Sequence, residues 1–213
     1  PVVDEVLTAP DGIRRLADEL ASRSLTTYSL NAFPYGDFHA NRVKEQVYLP
    51  DWTTPERLAY TERCARVLSG LLPEGDEGSI STLPVGFKRA VPLASLETAA
   101  ERLVSCALAY SRLAAETGRT IRLAIEPEPF CLIETTVEAI EFFRLLWRAA
   151  AGHKAEAAVR EHIGVCYDVC HQAVEFEDPA ASVETLDRAG VRVVKVQVSC
   201  AIELERPAED PEG

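Results

Sequence analysis

Three oxygen-bearing side chains stand at or near the ends of three apolar runs: Glu126 after 120–125, Asp168 after 163–167, and Gln197 within 191–198. His171 follows Asp168 by three residues. Carboxylate and amide oxygens ligate hard divalent cations such as Mg²⁺ or Mn²⁺, and carboxylates also hold Zn²⁺. A carboxylate or an imidazole placed against a substrate also moves protons. The spacing therefore gives a candidate metal set of Glu126, Asp168 and Gln197, and a candidate catalytic set of Glu126, Asp168 and His171. Burying a carboxylate costs several kcal/mol unless it is paired, so two at one mouth need a reason to be there.

Four further residues are candidates for holding substrate: Asn31, His39, Glu128 and Lys195. Asn31 closes an apolar run and opens a long segment rich in aromatics and turn residues, which carries His39 between Tyr35, Phe38 and a turn. Long loops in compact domains often carry function, and this one suits a cover over a substrate. Glu128 lies in Glu126-Pro127-Glu128-Pro129. A lysine in a desolvated lumen has a lowered pKa and can transfer protons; the plainer role for Lys195 is an ion pair with a neighbouring carboxylate. His153 and His162 border helices and read as surface residues, and no Ser/His/Asp arrangement or nucleophile elbow is present.

The elements that position these residues alternate. Helical apolar spacing starts at residues 10–12, at 54–55 with Pro55 in the first turn and a hydroxyl as cap, at 93, at 136, at 155 and at 179. Between them lie apolar runs at 25–30, 79–83, 120–126, 163–168 and 191–198. Alternating helices and strands imply a parallel sheet with helical crossovers.

The strands also have a repeated polar face. Arg122, Ala124 and Glu126 oppose Ile121, Leu123 and Ile125; Lys195, Gln197 and Ser199 oppose Val194, Val196 and Val198; Gly164, Cys166 and Asp168 oppose Ile163, Val165 and Tyr167. Strands of an open doubly wound sheet are apolar on both faces. The pattern predicts instead an α/β fold of the (β/α)8 TIM-barrel type, with a polar lumen and a site at the C-terminal strand ends. Five strands do not close such a barrel, so an incomplete one is expected, a single domain over 1–213 with strands missing at one or both ends. No glycine-rich nucleotide loop follows any strand.

The bulk numbers exclude other classes. Twenty-two basic against 34 acidic residues give a net charge of -12, the wrong sign for a nucleic-acid surface. No apolar run approaches a membrane span. The six cysteines form no CxxC pair and read as reduced core thiols of a cytoplasmic protein, with Cys166 and Cys170 a minor metal alternative. The chain contains no methionine and is expected to be part of a longer protein.

The set Glu126, then Asp168-Val169-Cys170-His171, then a polar residue on the next strand resembles the xylose isomerase-like barrels. That resemblance implies sugar isomerase or epimerase chemistry at a divalent metal held by Glu, Asp, His and a last-strand Glu. Glu126 and Asp168 match two of these; Gln197 stands where the family has histidine, and the last glutamate has no counterpart. Longer segments resemble the EboE family of metabolite traffic proteins: Ser29-Leu-Asn-Ala-Phe-Pro-Tyr-Gly-Asp-Phe-His39, Arg42-Val-Lys-Glu-Gln-Val-Tyr-Leu-Pro-Asp-Trp52, Gly78-Ser-Ile-Ser-Thr-Leu-Pro84, Glu126-Pro-Glu-Pro129 and Tyr167-Asp-Val-Cys-His-Gln172. This resemblance implies a bacterial protein that helps move a specialised-metabolite precursor from the cytoplasm toward the periplasm, alongside other proteins of the same system.

Two function classes follow. In the first the barrel binds, and isomerises or epimerises, a small sugar- or polyol-like metabolite at a divalent metal (Mg, Mn or Zn). In the second it is a non-catalytic metabolite carrier or complex subunit with a degraded metal site, which the glutamine at 197 favours. A metal-dependent phosphoesterase ranks third, because the acidic balance repels nucleic acid.

Overall fold

The computed structural model describes residues 2–35 and 47–203. Its apolar runs form one five-stranded parallel sheet in the order β1-β2-β3-β4-β5: Ser29–Asn31, Glu77–Thr82, Thr120–Ile125, Ile163–Asp168 and Val193–Gln197. Sequential order and parallel pairing are what right-handed βα crossovers produce. The sheet curls into part of a TIM barrel: Nζ of Lys195 on β5 reaches the Leu30 carbonyl on β1 at 3.2 Å.

Helices cover the outer face, in chain order α1 Val2–Thr8, α2 Gly12–Ser22, α3 Pro55–Leu71, α4 Leu96–Thr117, α5 Thr136–Gly152, α6 Glu156–His162, α7 Val169–Val174 and α8 Pro179–Arg188. Four of them start or stop for a clear local reason. Pro55 occupies the first turn of α3. Gly118 ends α4 at φ 67, a left-handed conformation that costs glycine nothing. Thr135 and Glu138 form a reciprocal capping box on α5. Asp178 caps α8 through Ala181 N at 2.8 Å. Ile80, Ile121, Leu123, Ile125, Ile163 and Val165 are buried under these helices with Leu68, Leu103, Val104, Phe143 and Leu146.

Several expectations change. The run at 25–30 gives a strand only at Ser29–Asn31. A turn of 3-10 helix, Leu93–Ser95, precedes α4. The Thr54 hydroxyl does not cap α3; it donates to the Asp51 carbonyl at 2.8 Å. Helices α1 and α7 were not expected.

The larger correction concerns β5. Its register against β4 shifts between Val165 and Cys166: Val165 pairs with Val193, but Cys166 pairs with Lys195. Val194 is the extra residue of this bulge. Val193 packs on the core, while Val194 lies against Gly164 on β4. The expected alternation therefore begins only after the bulge. Val196 and Val198 are 56% and 90% exposed rather than covered by helices.

His162 is buried, not on the surface, and its Nδ1 lies 2.8 Å from the Ile121 carbonyl oxygen. It ends α6 where that helix packs on β3 and α4. His153 is exposed beside Glu101. All six cysteines are free, with Cys64, Cys106, Cys131 and Cys166 buried and Cys200 exposed. Among the described residues no helix is long and apolar enough to cross a membrane.

Candidate functional site

Parallel pairing brings the strand ends to one rim. Asp168 stands opposite Gln197 in the β4–β5 register. Glu126 follows β3, and its backbone N–H donates to the Thr82 carbonyl at 3.0 Å, so it rides on the end of β2. Register thus puts two carboxylates and an amide side by side, although 42 and 29 residues separate them in sequence.

Gln197 joins them. Its Nε2 donates to Glu126 Oε1 at 2.8 Å and to Asp168 Oδ2 at 2.8 Å. Asp168 Oδ1 accepts from Ser199 Oγ at 2.6 Å and from Cys170 N at 3.0 Å, the latter as N-cap of α7. Burial alone raises the Asp168 pKa, but the bonds from Ser199, Gln197 and Cys170 outweigh it and hold the carboxyl below its ordinary value. Glu126, 4% exposed, is the opposite case. Burial raises its pKa, and Asp168 beside it adds to the rise against the opposing field of His171. Its Oε2 is buried and has no hydrogen-bond partner.

His171 projects from α7 over this pair. Its Nδ1 lies 3.1 Å from the Pro127 carbonyl oxygen and 3.6 Å from Glu126 Oε1. A carbonyl only accepts, so Nδ1 carries a proton; Nε2 is the nitrogen that alternates between lone pair and N–H as the ring loses or gains its second proton. The ligand atoms of Asp168, Cys170 and His171 lie within 4.8 Å of one another. Cys170, and not Cys166, is thus the thiol of this cluster; burial holds the Cys166 thiol well above its ordinary pKa beside Glu126.

The substrate candidates divide. Glu128 is at the same mouth: Tyr48 Oη donates to its Oε1 at 3.0 Å, and its Oε2 is buried without a partner. Burial raises its pKa to about 7. Lys195 lies deeper, donating to Ser81 Oγ at 2.9 Å and to the Leu30 carbonyl; among the described residues it has no ion pair with a carboxylate. Asn31 turns back on its own loop, accepting from Phe33 N at 3.0 Å. His39 lies outside the described residues.

Tyr48 is the residue that sequence reading missed. Its ring stacks on Phe87 at 5.2 Å and meets Phe33 edge-on at 5.4 Å. A tyrosine among other aromatics carried no periodic signal, and only the long segment 42–52 hinted at it. The loops after β2 and β3 are fixed to each other by the Phe87–Cys131 bridge and the Leu132 N to Gly86 O bond at 2.9 Å, so the carboxylate of Glu128 sits on a braced support.

A divalent cation suits part of this donor set. Glu126 Oε2 is a buried carboxylate oxygen without a partner, and nearby one ligand atom each of Asp168, Cys170 and His171 lie within 4.8 Å of one another, a cluster that does not include Glu126. Against it, the Gln197 N–H groups occupy the space between the two carboxylates, and a shared ion there requires the amide to present its oxygen instead.

No family model matches the chain, and no curated protein matches it. Solved structures do. A D-tagatose 3-epimerase-like protein superposes over 88% of this chain and 61% of its own at a TM-score of 0.52 and 16% identity. The IOLI protein, in a crystal structure with a zinc atom bound, superposes over 89% of this chain and 57% of its own at a TM-score of 0.50 and 15% identity. The chain therefore spans about three fifths of the length of these two structures. At such identities the likeness is one of fold: an α/β chain whose five described parallel strands form an incomplete TIM barrel.

Proposed function

We propose that this chain binds a small sugar- or polyol-like metabolite at the mouth of the partial barrel and moves a proton on it, as a carbohydrate isomerase or epimerase does. One observation carries the reading: Glu126, buried at a strand end, keeps Oε2 without a partner, while its Oε1 lies 3.6 Å from His171 Nδ1 and shares the Gln197 amide with Asp168. Burial and the neighbouring carboxylate raise its pKa, which suits a group that takes a proton from carbon next to a carbonyl and returns it. His171, with Nδ1–H held by Pro127, offers Nε2 to a substrate hydroxyl. Glu126 and Asp168, with His171 or a turned Gln197, would hold a divalent cation, whose chemistry when bound is to polarise a substrate carbonyl or hydroxyl.

The biological setting we propose is bacterial specialised-metabolite traffic, with the barrel acting in the cytoplasm on a precursor bound for the periplasm. The resemblance of segments 29–39, 42–52 and 167–172 to the EboE family supports it.

A second reading has its own observation. The Gln197 amide donates to both carboxylates, as a fixed hydrogen-bond bridge would in a carrier that does no chemistry. Incubation with free ketoses in D₂O, followed by NMR, separates the two. Deuterium incorporation next to the carbonyl, abolished in Glu126→Gln, supports the enzyme. Binding without exchange supports the carrier, and neither binding nor exchange sinks both.

A further inference from the structure

We infer that Tyr48 and Glu128 form a hydroxyl-binding subsite beside Glu126, and that it selects an uncharged polyhydroxy ligand over a phosphorylated one. This inference rests on the sugar-binding reading of the mouth and deepens it. Three loops build the subsite: Phe33 follows β1, Phe87 follows β2 and Glu128 follows β3. Tyr48 is held between the first two rings, and its hydroxyl is spent on Glu128 Oε1. That bond fixes the carboxyl's rotation and leaves Oε2 as an oriented acceptor, buried and without a partner. Glu126 Oε2 is in the same condition, two residues away on the same strand end.

Two buried, oriented carboxyl oxygens without partners call for a ligand rich in O–H groups, which donate to a carboxylate and accept from a carboxyl, since a buried polar atom left alone costs its full desolvation. The charges around them exclude an anion. Glu126 and Asp168 share the Gln197 amide, and both lie close enough to Glu128 to oppose its charge. Of the described cationic groups at this mouth, Lys195 is committed to Ser81 and Leu30 below, Lys88 is paired with Glu134 and Glu138, and His171 is already engaged by Glu126 and Glu128. A phosphate adds negative charge and, as the dianion, no donor, whereas vicinal hydroxyls both donate and accept and so satisfy the two oxygens in either protonation state.

Calorimetric titration of the chain, alongside Tyr48→Phe, Glu128→Gln and Glu126→Gln, with D-tagatose, myo-inositol and D-tagatose 6-phosphate tests this. Both subsite variants keep the side chain's size, and a melting curve confirms that each folds. Expected are tighter binding of a neutral probe than of the phosphate, and a loss of about tenfold in Glu128→Gln with a smaller loss in Tyr48→Phe. Neutral-probe affinities unchanged in both variants, or tighter binding of the phosphate, overturn the subsite while Glu126→Gln still reports on the mouth. If no probe binds the unaltered chain, the sugar-binding reading falls and this inference falls with it.

Discussion

Nζ of Lys195 lies 2.9 Å from Oγ of Ser81, joining the fifth strand to the second across the hollow of the sheet. Ser81 is fully buried, so its hydroxyl has no water to turn to. The same ammonium takes the Leu30 carbonyl, so one side chain ties both edge strands of the described sheet. Replacing Lys195 by methionine keeps the stem and removes the donors. It is expected to lower unfolding free energy by about 2 kcal/mol, the usual scale for a charge-assisted bond whose buried partner is left unmade. Urea unfolding measures it, with Val196→Ala on the exposed outer face as a control expected to change stability little. A Lys195→Met chain as stable as the unaltered one removes the tie from the account of curvature.

Gln197 decides how the two carboxylates spend their charge. An imidazole at this position offers a lone pair where the amide now offers N–H groups. Gln197→His is therefore expected to raise affinity for Zn²⁺ or Mn²⁺ at least tenfold, and Glu126→Gln in the same background to reverse the gain. Elemental analysis after dialysis against each metal reads the outcome directly. If the unaltered chain already holds a stoichiometric ion as tightly as Gln197→His, the amide is no obstacle and turns its oxygen inward.

Much of this arrangement was legible in the sequence, and the failures have physical causes. Period-two alternation in 120–126 and 163–168 located β3 and β4 and sent Glu126 and Asp168 to one rim, because both strands lie in the middle of the sheet under a full helical layer. Residues 191–198 read as one alternating strand, yet the alternation was broken by the bulge at Val194. That bulge depends on Gly164, a residue of another strand. His162 looked like a helix-end surface residue, and only packing of α6 against β3 and α4 shows that it is buried. Tyr48 meets Glu128 across 80 residues. No local pattern encodes such a contact. Helix α7 was not expected at all, so the cap that Asp168 makes on it went unread although an acid before a short helical run is a cap signal.

Glu128 should make the fold weaker as pH rises. Its carboxyl is raised from 4.5 to about 7 by burial in the native chain. A proton is thus bound more tightly folded than unfolded, so its contribution is fully present below about pH 4.5 and is lost as pH climbs through about 7. The full span corresponds to about 3 kcal/mol at most, at ~1.4 kcal/mol per pKa unit. Glu128→Gln removes the titration, and its unfolding free energy is expected to fall less between pH 5 and pH 8, on the order of 1–3 kcal/mol less. Asp168, shifted the other way, contributes stability that is fully present above about pH 4 and is lost only as pH falls below it, outside this window. Parallel pH profiles for the two chains, by urea titration at each pH, would remove Glu128 from the explanation.

Gly164 is where the sheet's edge and its site meet. A methyl group there comes within 2.6 Å of the Arg192 carbonyl oxygen and 2.6 Å of a Val194 methyl, and backbone cannot yield as a flexible side-chain tip can. The strands must separate at the bulge that sets Lys195 and Gln197 on the lumen side. Gly164→Ala is expected to cost about 2–3 kcal/mol through overpacking. It is also expected to displace Gln197 from Glu126 and Asp168, so that sugar binding falls along with stability. The double change Gly164→Ala with Val194→Gly relieves the side-chain contact but not the carbonyl one, and should restore only part of each. Full restoration of stability by the double change would mean that the Val194 methyls alone, and not the approach of the two backbones, require glycine at this position.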